Sequence, residues 1–452
     1  MLYLLPCIYI LSFLNAGYGL IKGKPQFILH FYIFGLPIYI TSLSLLHQLG
    51  LGTFIPLFQG FKEIITLSVL IYLLSKKEIS IQFTLIDKMV LLFLAYTSCY
   101  VLLPLGNYGI MQKVLALKSL SFFPFIYFTG RLINPQLIDI NKLFHYILLV
   151  SIAGGIVLLG ENMANEHLQI HTGYAEFFQS YFDTAPSGNY NLSWTFETSN
   201  GLKRYASFYG GPLELGVNTI FTLAAILALY NQDNNGFKLN QLGVAAMVVS
   251  LLSIVLAISR ASMVSYFLVF YVFAIISQKK YWLKLFHYGM IGLTLLVLFY
   301  LKGDIYELII TTINFSDNSS AYHVLQWLEG IEAIASHPLG LGLGMSGRVS
   351  GAVGDNIGGE NQLIIIGVQA GLIAVLIYLS IYYLIIKLCI EQFKKHQGKI
   401  KKLALCLLLV KIGLFIPTLT ANVESYIYIA YLSWFCAGLL NSMSKYPALQ
   451  KN

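Results

Sequence analysis

The sequence predicts an all-α, polytopic integral membrane helix bundle of about 12–14 transmembrane helices, with two sizeable outer loops. Three observations carry this. Apolar stretches of spanning length recur from end to end. Only 11% of the 452 residues are charged while 57% are hydrophobic, whereas soluble domains carry about a quarter charged residues. Lysines gather in short loops between the apolar stretches rather than on one soluble face. A β-barrel would instead alternate apolar and polar residues in short strands.

The membrane segments fall near 2–20, 27–47, 57–75, 88–105, 112–130 and 143–160 in the N-terminal part, 1–160. Residues 161–205 form a first outer loop. The central helices, 206–301, hold segments near 206–230, 242–259, 261–278 and 283–301. A second outer loop covers 302–360, and 361–452 contributes segments near 361–388, 403–421 and 425–442. The first apolar run, Leu2–Phe13, lacks a basic leader and a small-residue cleavage site, so it reads as a retained helix. Lys22 and Lys24, Lys76, Lys77 and Lys88, Lys279, Lys280 and Lys284, and Lys394 through Lys402 mark inner loops by the positive-inside rule. This puts the C-terminus inside and the N-terminus outside. The same lysines suit anionic lipid headgroups.

Several classes are disfavoured. The net charge is +8, yet no basic face lies on a soluble element, so nucleic acid is not an expected partner. The five cysteines sit in or beside apolar segments without metal-site spacing, and no structural metal or disulfide framework is expected. No inverted repeat is visible, which counts against a transporter.

The second outer loop is the most informative stretch. Ser319–Ser336 reads as an amphipathic helix, with Val324, Trp327, Leu328, Ile331 and Ile334 at helical spacing. Asp317 or Ser319 is its expected cap and His337-Pro338 its stop. Gly340, Gly342 and Gly344 then read as a flexible turn, and Gly351 through Gly359 as a lid-like continuation. This GxGxG follows no strand, so a dinucleotide-binding reading is rejected.

Glu360 opens the next apolar helix, with Asn361 beside it. It reads either as a helix N-terminal carboxylate favoured by the dipole or as a general base for a sugar hydroxyl. Arg204 precedes a membrane segment and is followed by Gly210, Gly211, Pro212 and Glu214. It is either a snorkelling anchor or a functional charge near membrane depth, and Glu214 is either part of the site or the structural partner of Arg204. Arg260 lies between two apolar segments with almost no loop, and its fork of donors suits a diphosphate. His323 and Arg348 are further candidates in the second loop. Lys118, Lys411 and Glu63 fall in or near apolar segments, where they pair with each other or line a cavity.

Three patches together resemble the O-antigen ligase and Wzy polysaccharide polymerase family of bacterial envelope glycosyltransferases. They are Arg204 through Gly216; Ser259-Arg260-Ala261-Ser262; and the second loop with Trp327, His337-Pro338-Leu339-Gly340-Leu341-Gly342-Leu343-Gly344, Glu360-Asn361-Gln362-Leu363 and Gly371. The resemblance covers roughly residues 200–390. It implies glycosyl transfer on the outer face of the bacterial inner membrane, from a glycan carried on undecaprenyl diphosphate. It implies that Arg204 and Arg260, helped by Arg348 and His323, hold the diphosphate while Glu360 activates the acceptor hydroxyl. Asn361, Glu214 and Trp327 would support the site, with no cofactor or metal. A chain-length regulator and a flippase are the implied partners. Two departures stand out. The ligase branch carries a histidine where this chain has Glu360, which favours a polymerase. Many relatives have an arginine where His323 precedes Trp327. The alternatives are a ligase acting on lipid A core or protein, and a flippase or transporter for lipid-linked glycans.

Overall fold

A computed structural model describes residues 2–76, 82–231, 236–278, 280–299, 310, 314, 318–347 and 356–444. The described residues are all-helical, without strands beyond two isolated bridges. Helix α1 is Leu4–Ile21. The second segment, α2, covers Pro25–Gln48 and is not one regular helix: a π turn at Phe31–Gly35 leads into a 3₁₀ turn at Leu36–Ile38 around Pro37. Such interruptions re-aim side chains along an otherwise straight rod. Helices α3 (Ile55–Ser75), α4 (Leu85–Cys99), α5 (Ile110–Ser121), α6 (Phe123–Leu132) and α7 (Ile140–Ala164) follow.

The segment between α7 and the next long helix contains α8 (Tyr174–Phe182), and several of its aromatic residues are packed, with Phe177 and Phe196 fully buried. Next come α9 (Pro212–Tyr230), α10 (Gln241–Ala257), α11 (Arg260–Ile276) and α12 (Lys280–Phe299). Helix α13 is Asn318–Ser336, followed by α14 (Gln362–Lys395), α15 (Gly398–Thr420) and α16 (Ile427–Met443).

Among the described residues, seven helical stretches are long and apolar enough to cross a membrane: α1, α2, Gly52–Ser75, α7, α9, α14 and α15. The chain is therefore a multi-pass membrane protein. Three further apolar helices, α10, α11 and α16, are shorter. The 112–130 segment divides at Phe122 into two helices, with Pro124 opening the second.

Several buried charged groups are paired. Asp87 is fully buried and accepts from Tyr127 (2.7 Å) and Arg131 (3.3 Å). The Asn441 amide donates to the same carboxylate at 3.1 Å. An unpaired carboxylate there would be costly. Glu63 pairs with Lys62 (3.3 Å) and Lys118 (3.1 Å). Lys411 makes no such pair with Glu63 and lies 3.9 Å from the centroid of the Trp434 ring. Glu424 receives hydrogen bonds from Tyr378 (2.7 Å) and the Trp434 indole (2.9 Å).

Candidate functional site

The segment carrying Arg204 is fixed by backbone and side-chain bonds. Its amide donates to Phe196 O at 2.9 Å, beside the bridge between Glu197 and Lys203. Tyr205 N donates to Leu256 O at 3.1 Å, tying the segment to the end of α10. Glu161 then accepts from Ser207 N (2.7 Å) and Leu168 N (2.8 Å), while Gln169 Nε2 donates to Ser207 O (2.8 Å) and Tyr209 O (3.1 Å). Neighbouring His167 is buried among the rings of Tyr190, Phe196 and Tyr205. Burial, with Lys203 nearby, pushes its imidazole down to about 4, so it is neutral at pH 7.

Gly211 and Pro212 open α9, and Glu214 in its first turn accepts from Gly210 N at 3.2 Å. One turn on, Gly216 meets the link between α10 and α11. A Cβ at Gly216 would lie 3.0 Å from Ser259 Cβ and 3.0 Å from Ser262 Oγ. That link is only Ile258-Ser259, with Ile258 in the left-handed region at φ 44°, a costly conformation for a β-branched residue. Arg260 therefore begins α11 directly. The Ser259 hydroxyl donates to Ser262 (3.0 Å) rather than capping the helix.

The late loop folds onto a break in α14. Gly371 has φ 77° and ψ 176°, a region open essentially to glycine alone. Leu372 N donates to Pro338 O (2.9 Å) across the break, and Leu341 N to Val368 O (2.7 Å). Gly344 N donates to Gln369 Oε1 at 2.9 Å. Gly340, Gly342 and Gly344 are buried. Their role is close approach rather than flexibility, which differs from the turn expected of them. The lid-like stretch expected around Gly351 and Gly354 lies outside the described residues, as do Arg348 and Asp317.

Gly358 (φ 78°) and Gly359 (φ 64°) turn the chain into α14. Asn361 caps that helix, its Oδ1 accepting from Leu363 N (2.9 Å) and Ile364 N (3.2 Å). Glu360 thus has no capping duty.

Two cavities meet at Glu360. The larger, about 400 Å³, is lined by Tyr39, Phe178, Glu214, Glu360, Asn422 and Tyr426 among others. The smaller, about 280 Å³, is lined by Arg204, Arg260, His323, Trp327, Glu360 and Tyr426 among others. Residues scattered from 204 to 426 thereby share one space, and only Leu213, Glu360 and Tyr426 line both cavities. Arg204 and Glu214 line different ones. Of the sequence candidates, Arg204, Arg260, His323, Trp327, Glu360 and Glu214 come together; Asn361 acts from behind as the cap.

Glu360 is an exposed residue that opens to the cavities, and the protein packed around it partly desolvates its carboxylate. This desolvation raises its pKa above the ordinary carboxylate value. Tyr426 stands between the two acids. Burial, then the charges of Glu360 and Glu214, hold its phenol protonated well above the usual range. It is a fixed hydrogen-bond donor to whatever occupies the junction. The Trp327 indole N–H is buried and has no hydrogen-bond partner among the described residues. A donor left so in a cavity wall suits an oxygen-rich ligand.

Tyr426, Asn422 and Tyr39, and the anchoring pair Glu161 and Gln169, were not singled out by sequence. A tyrosine among 31 others gives no local signal. Among the described residues no three His, Cys, Asp or Glu side chains converge as a metal-ligand set. Comparison with protein-family models gives no match, and no curated protein matches the chain.

Proposed function

We propose that this chain is a membrane glycosyltransferase that polymerises oligosaccharide repeat units carried on undecaprenyl diphosphate, working at the outer face of a bacterial inner membrane. The observation that carries the reading is the junction: one carboxylate with a raised pKa joins two cavities, and only the smaller is lined by arginines among the described residues. A glycosyl transfer from a lipid diphosphate needs that asymmetry. The donor brings a dianionic leaving group to one side, and the acceptor brings a neutral hydroxyl to the other.

In this reading the donor diphosphate lies against Arg204 and Arg260, with His323 and Trp327 completing its shell. Guanidinium groups meet phosphate oxygens bidentately. The acceptor sugar fills the larger cavity, and Glu360 takes the proton from its attacking hydroxyl. The acceptor oxygen bonds to the donor anomeric carbon. The carbon–oxygen bond to the diphosphate breaks, and its electron pair leaves on the phosphate oxygen, where the two arginines stabilise the charge. Tyr426 holds the reacting groups at the junction.

The test is Glu360→Gln, which keeps size and hydrogen bonding but removes the base. Single repeats on the lipid carrier are expected to accumulate and long polymer to vanish. Polymer of normal length would sink the reading. Glycan transferred instead onto lipid A core or protein would reassign the acceptor and make the enzyme a ligase.

A further inference from the structure

A third cavity, of about 390 Å³, lies on the flank of the bundle and has only apolar residues in its wall. Helix α1 gives Leu5 and Ile8, α2 gives Phe34 and Ile38, and α7 gives Ala153 and Val157. Its edge is open, with Leu4 58% and Ile8 42% exposed. Its upper end reaches Leu168 and Phe208, and Phe208 lies two residues before Gly210 in the wall of the larger cavity.

The partition between this pocket and the larger cavity is a single irregular stretch of α2. Leu36, Tyr39 and Ile40 line the cavity, Phe34 and Ile38 line the pocket, and Pro37 lines both. Phe34, Pro37 and Ile38 share one face at i, i+3, i+4 spacing, and Leu36, Tyr39 and Ile40 share the opposite face at the same spacing. An apolar pocket open on the lipid side thus adjoins, through one proline, a polar cavity holding Glu214 and Glu360.

We propose that this pocket holds the polyisoprenoid chain of the acceptor, so that the acceptor enters as an amphipathic whole: prenyl chain against α1 and α7, sugar in the cavity at Glu360. The inference rests on the glycosyl-transfer reading. Two features assign the chain to the acceptor rather than the donor. The pocket adjoins, across Pro37, the cavity that no arginine lines among the described residues. The arginine-lined cavity has its own apolar flank at Val217, Val264 and Ile416, with Val264 56% exposed. Apolar burial from a bilayer supplies little net drive, because lipid tails are as apolar as the pocket wall. The pocket therefore acts by register. It fixes where along the membrane flank the acceptor's sugar rises, which lowers the orientational cost of reaching Glu360.

The experiment uses the full chain in phosphatidylglycerol vesicles containing radiolabelled undecaprenyl-diphosphate oligosaccharide. A photo-reactive residue replaces Ala153 in one sample and Val264 in another. Capture of the labelled lipid at position 153 is expected, and it must survive Glu360→Gln, so this readout stands or falls independently of catalysis. Capture of phosphatidylglycerol alone at 153, while 264 captures the labelled lipid, would overturn the assignment. A kinetic arm follows with Ala153→Trp, which fills the pocket. The KM for a full-length prenyl acceptor is expected to rise about tenfold, while a two-isoprene acceptor and the donor are unaffected. Equal effects on long and short acceptors would also overturn it. If Ala153→Trp does not fold, Ala153→Leu gives the same comparison with less added volume.

Discussion

Gly216→Ala is a small change placed where the account is most sensitive. The added Cβ would sit 3.0 Å from Ser259 Cβ, 3.0 Å from Ser262 Oγ and 3.1 Å from Ser262 Cβ. Contacts this short are tighter than ordinary van der Waals packing, so the link between α10 and α11 must give by a few tenths of an ångström. Neither serine is free to swing away. Both are buried, and their hydroxyls bond to each other. Arg260 follows Ser259 directly and moves with it. A misplacement of about 1 Å at a catalytic constellation costs up to about 10²-fold in rate, so a shift of a few tenths of an ångström is expected to lower transfer by about three- to tenfold. Overpacking also destabilises, by about 1–3 kcal/mol. The assay is transfer between labelled lipid-linked donor and acceptor by purified protein in vesicles, with thermal unfolding measured alongside. Ser262→Gly removes two of the three contacts and is expected to restore much of the rate in the double variant. Wild-type transfer by a folded Gly216→Ala protein would refute the claim that this contact positions Arg260. So would a loss of rate that Ser262→Gly leaves untouched.

Other expectations follow from the same geometry. Glu360 has a raised pKa in the folded protein, so the folded state holds its proton to higher pH than the unfolded chain does. Its contribution to stability is largest below the unfolded value and declines as pH rises through the raised one. Relative to Glu360→Gln, the wild-type melting temperature is expected to fall slightly over that window, and the opposite slope would contradict the desolvation of this carboxylate. Transfer runs the other way, increasing as pH rises through the same raised value because the base must be ionised. Gly371→Ala places a Cβ 2.5 Å from Leu339 C and Pro338 O at φ 77°. Backbone strain and overlap together should cost about 2–6 kcal/mol, read as lower thermal stability and faster proteolysis at 337–345; an unchanged melt would refute the docking of that loop. Trp327→Phe keeps the ring but deletes the N–H that lacks a partner among the described residues. Affinity for the lipid-diphosphate donor is expected to weaken by about three- to tenfold, and unchanged affinity would remove Trp327 from the donor shell. Arg260→Lys keeps the charge but loses the fork, and a clear loss of rate is expected, with full activity counting against bidentate binding.

Local signals in the sequence were legible where the physics is local. His337-Pro338 ends α13 at Ser336, as the missing amide and ring clash of proline require. The two-residue link before Arg260 follows from two apolar segments with almost no loop between them. Glu360 was visible as a carboxylate at a helix start, but its neighbour Asn361 proved to be the cap. What was not legible is non-local. A glycine in an apolar run, such as Gly371, reads as helix, and only the docked Pro338–Leu341 segment reveals the break. Tyr426 gains its meaning from lying between Glu360 and Glu214, residues 66 and 212 positions away by their numbers. Breaks inside apolar runs are hidden for a related reason: hydropathy sums apolar residues along a window, and the breaks at Phe122 and in α2 interrupt the rod without changing that sum.

The most direct test of Glu360 as the base at the junction of two cavities is a paired measurement on purified Glu360→Gln protein: donor affinity and single-turnover transfer. The donor cavity keeps Arg204 and Arg260, so affinity for the lipid-diphosphate donor is expected to stay near the wild-type value. Transfer is expected to fall about 10²–10⁴-fold, the usual worth of a positioned general base. Transfer at the wild-type rate with the donor bound would contradict the account.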